Sequence, residues 1–160
     1  MENLLNKEPV KKVQEFIKKF DPKLEIITLD TSARTANDAA NSLKCEVGAI
    51  VKSLLFKTEK SFLICLIAGD RRCSLNKLKK ILNKKDVSMA NAEEVKKITG
   101  FSIGGVSPVA HIKKLNIITD VSLSRFDFVF AAAGHPNCVF KISYDKLIKI
   151  TKGLEKEISE

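Results

Sequence analysis

Two apolar runs decide the fold: Ala49-Ile-Val-Lys-Ser-Leu-Leu-Phe56 and Phe62-Leu-Ile-Cys-Leu-Ile-Ala68, separated by the polar Lys57-Thr-Glu-Lys-Ser61. Each has the length of a strand, and each is apolar at successive positions, as a strand buried on both faces must be. The short polar connection predicts an antiparallel β-hairpin. Lys52 interrupts the first run. An unpartnered ammonium there costs several kcal/mol. Lys52 therefore pairs with a carboxylate, snorkels to the edge, or points into a polar cleft that receives anions.

On the N-terminal side, Pro9 to Phe20 places Val10, Val13, Phe16, Ile17 and Phe20 at helical spacing, with Pro9 in the first turn. Leu24 to Leu29 reads as a short strand, and Ala36 to Leu43 as a helix capped by Ser32 or Thr35. On the C-terminal side, Ser74 caps a basic amphipathic helix carrying Leu75, Leu78, Ile81 and Leu82. Asn91 with Glu94 three residues on forms a capping box, and Gly100 is the stop. Asn116–Asp120, Phe126–Ala133 and Cys138–Ile142 are β-like, and Ser143 caps a last helix, Tyr144–Ile150. Strands and helices interleave, but the hairpins oppose a purely parallel sheet. The fold class is α+β, a mixed sheet with helices packed around it.

The 160 residues suffice for one domain with a real core, expected to span 1–160. No apolar run approaches the roughly 20 residues of a bilayer span, and the first residues have no apolar signal region, so a cytoplasmic protein without membrane partners is expected. Cys45, Cys65, Cys73 and Cys138 form no Cys-x-x-Cys, and His111 and His135 complete no zinc-finger spacing. No metal and no cofactor is expected. Lys and Arg number 28 against 19 Asp and Glu, a net charge of +9. Seven bases and no acid lie between Arg71 and Lys85, including Arg71, Arg72, Lys77, Lys80 and Lys84. Such a patch attracts a phosphate backbone, although a solvated helix face would look the same.

Two glycine-bearing segments remain. Gly100-Phe-Ser-Ile-Gly-Gly-Val-Ser-Pro108 is neither a P-loop nor a dinucleotide fingerprint, and by composition reads as a tight structural loop. Ala131-Ala-Ala-Gly-His-Pro-Asn137 ends a strand in a turn whose small residues can floor a pocket, with His135 a donor or base there or merely solvated.

Taken together, Ile50-Val-Lys-Ser-Leu-Leu55, Ala68-Gly-Asp-Arg-Arg72, Ala92-Glu-Glu-Val95, Thr99-Gly-Phe101, Ile103-Gly-Gly-Val-Ser-Pro108 and Ala133-Gly134 resemble the YbaK/prolyl-tRNA synthetase-associated editing domain family, over roughly residues 31–150. The resemblance implies a partly curled mixed sheet ringed by helices. It also implies metal-independent hydrolysis of the ester of a mischarged tRNA. The amino acid implied is a small one such as Ala, Ser, Thr or Cys, carried by the tRNA for proline. Lys52 matches the family's active-site lysine and Ser53 the position beside it. Gly104, Gly105, Val106, Ser107 and Pro108 match the loop around the aminoacyl group, and Gly134 and His135 the turn that closes the pocket. The Gly-His-Pro-Asn turn differs from that of cysteine-directed members and leans toward alanine, serine or threonine. Ala49 replaces a glutamine common in the family. Partners are the mischarged tRNA and, as a further suggestion, a cognate synthetase. A non-catalytic member that binds tRNA or a synthetase is the alternative.

If the basic segment meets the acceptor stem, replacing Lys77, Lys80 and Lys84 together by Gln raises KM more than it lowers kcat. The log–log salt slope of tRNA binding then falls by about 2.7. An unchanged slope leaves the patch as solvation.

Overall fold

The computed structural model describes residues 3–30 and 35–160. The two apolar runs become β2 (Ile50–Lys57) and β3 (Phe62–Ala68), antiparallel from Val51 opposite Ala68 to Lys57 opposite Phe62. The other strands are β1 (Ile26–Thr28), β4 (Ser88–Met89), β5 (Asn116–Asp120), β6 (Phe128–His135), β7 (Cys138–Ser143) and β8 (Leu154–Lys156). They form one open sheet in the order β1-β7-β6-β2-β3-β5-β8, with β4 paired to β2 off that path. β6 joins β2, and β5 joins β3 and β8, in parallel; the remaining pairs are antiparallel. The mixed α+β architecture is the one expected.

Among the described residues five α-helices surround the sheet: α1 (Glu8–Phe20), α2 (Ala36–Leu43), α3 (Leu75–Leu82), α4 (Ala92–Thr99) and α5 (Tyr144–Thr151). The caps are those the sequence signals. Ser74 Oγ accepts from Lys77 N–H, Ser143 Oγ from Lys146 N–H and Thr35 Oγ1 from Asp38 N–H. Asn91 and Glu94 satisfy each other's main-chain N–H groups at 2.9 Å, and Gly100 ends α4 at φ +87°. Ser32, the other cap considered for α2, lies outside the described residues.

Strand parity divides the core. Val51 and Leu55 of β2, with Ile64 and Leu66 of β3, pack with α1, α4 and α5 on one face. Phe56, Cys65 and Ile67 pack with Leu78 of α3 on the other. Ala39 and Ala40 of α2 cover Ile50 and Val139 on that second face. No helix is long and apolar enough to cross a membrane among the described residues.

Asp120, fully buried at the end of β5, ties down the C-terminal segment. One carboxylate oxygen accepts from Ile158 N–H (2.8 Å) and Ser159 N–H (3.1 Å), the other from Ser122 N–H (3.2 Å) and the Ser122 hydroxyl. Burial alone would raise its pKa, but these hydrogen bonds outweigh it and hold the carboxyl below its ordinary value. The stability it contributes is therefore present above the unfolded pKa of about 3.9 and lost as pH falls through the depressed folded value. Asp120→Ala leaves three main-chain N–H groups unpaired and should cost about 3 kcal/mol or more. Thermal melts from pH 7 to about pH 3 check this: the variant melts lower at neutral pH and loses less than the wild type on acidification.

Candidate active site

The sheet divides along one edge of β2. β6 pairs with β2 only at Ile50–Phe130 and Val51–Ala131, and β4 only at Phe56–Met89 and Lys57–Ser88. Between these two contacts the edge of β2 opens into a cleft of about 410 Å³. Leu55 carbonyl is closed off by Ala90 N–H (2.9 Å), and by strand alternation the main chain of Ser53 faces the same edge with no ladder partner. Ser53 Oγ is buried and, among the described residues, without a hydrogen-bond partner. Such a group is satisfied by water or by a ligand.

Lys52 and Ser53 both line the cleft but point to opposite faces of the strand, with Lys52 on the side of α3. The Lys52 ammonium donates to the Arg71 carbonyl in the loop after β3. Among the described residues no carboxylate stands within ion-pair distance of it. Asp70, the nearest acidic neighbour in charge terms, is held by Arg125 through a two-pronged pair at 2.7 and 3.0 Å. Half-burial pushes the Lys52 pKa below its ordinary 10.5, while the Asp70 charge pulls it back up. Of the three arrangements open to this lysine, the structure combines an edge position with a cleft.

Most other lining residues are apolar, among them Leu55, Val95, Val106, Phe130, Ala132 and Val139. No Asp, Glu, His or Cys lines the cleft among the described residues. Gly104, at φ +95°, contributes bare backbone to the wall. Gly105 and Gly134 instead carry a packing contact. Gly134 N–H donates to Gly105 carbonyl (3.0 Å), and a Cβ on Gly105 would stand 2.9 Å from His135 N. A Cβ on Gly134, itself at φ +90°, would stand 2.7 Å from the Pro9 carbonyl of α1. The two turns thus stack on the helix start, and it is Pro136 that reaches the cleft. His135 Nδ1 accepts from Asn137 N–H (3.0 Å) within the turn. Ser107 is buried, with Val109 N–H donating to its hydroxyl (3.2 Å) and His111 Nε2 to its carbonyl (2.7 Å). Pro108 lines a different groove, with His111 and Ile112.

The sequence profile described as an aminoacyl-tRNA editing domain matches residues 30–150. The chain belongs to that family. A crystal structure described as a candidate trans-editing enzyme for prolyl tRNA synthetase matches this editing domain with a TM-score of 0.91 and 34% identity, covering 96% of this chain and 98% of that one. The YwhH protein of Bacillus subtilis is 30% identical over 139 residues, 86% of this chain and 88% of its own. Proline–tRNA ligase of Caldicellulosiruptor saccharolyticus is 33% identical over 102 residues, 64% of this chain but only 17% of the ligase. The editing domain thus spans a small part of the length of that ligase.

Of the residues singled out in the sequence, Lys52, Ser53, Gly104 and Val106 meet in the cleft of this editing domain. Gly105, Ser107, Pro108, Gly134 and His135 lie behind or beside that wall. Of the basic positions, Arg71, Arg72, Lys80 and Lys84 are exposed. Lys77 is partly committed, donating to the Ser159 carbonyl (2.8 Å) and standing 3.5 Å from Glu157. Sequence reasoning missed Thr35, Ala36 and Ala39, the Met89–Ala90 wall and Phe130. A two-residue strand has no periodicity by which it could have been found.

The glycine contacts separate two effects. Gly134→Ala meets helix backbone and a positive φ together, so its Tm falls well below that of Gly104→Ala, whose Cβ finds only Pro136 Cγ at 3.5 Å. Gly104→Ala bears the backbone term alone, about 1–2 kcal/mol. Equal melting temperatures would contradict the stacked-turn packing.

Proposed function

We propose that this domain is a deacylase that hydrolyses the ester joining a small amino acid to the 3′ end of a mischarged tRNA. Alanine, serine, threonine and cysteine are the candidates, and the tRNA for proline is the expected carrier. The observation that carries the reading is that, among the described residues, Ser53 Oγ is unpartnered in an apolar cleft lined by one ammonium and no carboxylate. An aminoacyl ester presents a small side chain, an amine and ester oxygens, with its phosphates farther out.

In this reading the apolar wall of Leu55, Val95, Val106 and Ala132 takes the side chain. Ser53 Oγ and the open main chain of β2 take the amine and the carbonyl region. The Lys52 ammonium, held by the Arg71 carbonyl, faces the terminal phosphate or the ester oxygens and stabilises the charge that develops there. Water adds to the ester carbonyl carbon, the bond to the ribose oxygen breaks, and that oxygen leaves as a hydroxyl. Ser53 lacks a base to activate it, so it orients rather than attacks. The ester is labile enough that positioning and charge stabilisation are the protein's main contributions. Discrimination by the wall is modest, since one methylene changes binding by only about 1–3 kcal/mol.

Lys52→Ala should lower deacylation about a hundredfold or more. Its Tm should stay at the wild-type value, because no ionic partner is stranded. Lys52→Arg should fail as well, since a planar fork does not fit the place of a compact ammonium. With the Lys52 pKa lowered by burial, activity should decline with rising pH before an exposed lysine would titrate. A deacylation assay over a panel of mischarged tRNAs, paired with thermal melts, reads both. Full activity in Lys52→Ala would overturn the role, and an inactive wild type across the panel would favour a tRNA-binding member instead.

A further inference from the structure

Phe126 precedes β6, and Phe128 and Phe130 alternate along its start. Phe128 and Phe130 share one parity, opposite to that of the core-facing Val129 and Ala131, whereas Phe126 lies in the bend before the strand and packs against the same core as those two. The face of Phe128 and Phe130 is that of Ile50 and Val139, which α2 covers, and Phe130 packs against that cluster. Phe128 is 51% exposed, an unusual cost for a large aromatic on a sheet. Two of the rings are attended by cations. Lys141 Nζ sits 4.6 Å from the centre of the Phe128 ring, and the Arg125 guanidinium 5.0 Å from that of Phe126. Phe130 is the inner member. It lines the cleft that holds Lys52 and Ser53, and also an outer depression shared with Phe126 and Phe128.

We propose that Phe128 and Phe130 form the stacking track for the unpaired 3′ nucleotides of the RNA, leading them into the cleft from the depression whose rim Phe126 completes. The proposal rests on the deacylase reading and adds the path of the strand. Every base has a π-face, so an aromatic row binds single strands whatever their sequence. Alternate residues of a strand stand about 6.8 Å apart, close to the step between nucleotides of an extended single strand. With the amino acid in the cleft, the terminal base meets Phe130 and the preceding one Phe128. Glu46 and Asp127 line the outer depression with Lys44 and Arg125, and Arg125 is already paired with Asp70. Acids and bases are thus equal in number among the residues lining the depression, and stacking is the contact assigned to this track.

Fluorescence anisotropy with two unacylated RNA hairpins tests this on the full chain, one with a single-stranded 3′ ACCA end and one blunt. Phe128→Leu keeps an apolar side chain on a half-exposed site and removes the aromatic face. It should weaken binding of the overhang hairpin about fivefold or more, leave the blunt hairpin unaffected, and leave the salt slope as it was. Phe128→Trp should bind the overhang hairpin at least as well as the wild type, and melting curves confirm that both variants fold. Equal weakening on both hairpins would overturn the track. So would unchanged affinity for the overhang, the result expected if this face instead docks a protein. Neither hairpin carries an ester, so a failure of the deacylase reading shows only in the hydrolysis assay and is distinguishable from a failure here.

Discussion

A strand can be paired on each edge by only one neighbour at a time, and β2 changes neighbours part-way along. β6 leaves after Val51 and β4 arrives at Phe56. The residues between keep their full ladder to β3, so the strand stays fixed while its other edge is bare. Main-chain groups do not stay unpaired in a protein interior without a reason. The cleft, the orphaned Ser53 hydroxyl and the emergence of Lys52 at the edge all follow from that exchange of partners.

What holds the opening is packing on both sides of it. The Gly105 and Gly134 turns stack without side chains between them and seat on the first turn of α1, which presents Gly104 and Pro136 to the cleft. On the other face, the Asp70–Arg125 pair braces the loop whose Arg71 carbonyl receives the Lys52 ammonium. Asp120 fastens the C-terminal segment next to that loop: Arg72 and Glu160 exchange main-chain hydrogen bonds, and Cys73 bridges Ser159. A lysine in a largely apolar strand is tolerated because its ammonium reaches a carbonyl and the cleft mouth, and no buried carboxylate is needed.

Much of this was legible in the sequence because it is local. The hairpin, the Asn91–Glu94 capping box, the Ser74 and Ser143 caps and the Gly100 stop each rest on residues a few positions apart. The anomaly of Lys52 was legible for the same reason. The break in the sheet was not, since it depends on β4, two residues long, meeting a strand more than thirty residues away in the chain. β8 escaped for its shortness and exposure. The glycine turns were recognisable as special backbone, but which glycine meets a helix and which meets the cleft is a long-range fact. The resemblance implied Gly134 and His135 as pocket residues, whereas the neighbouring Pro136 makes the contact.

The central claim is that the bare edge of β2 receives the aminoacyl end of the RNA. A crystal structure with alanyl-adenosine joined by a 3′ amide, which cannot be hydrolysed as the ester is, tests it most directly. The expected result places the alanyl group between Ser53, Val106 and Ala132, with Ser53 Oγ hydrogen-bonded to it and the Lys52 ammonium turned toward the linkage. An analogue bound elsewhere, with the Ser53 hydroxyl still unpartnered, would contradict the claim.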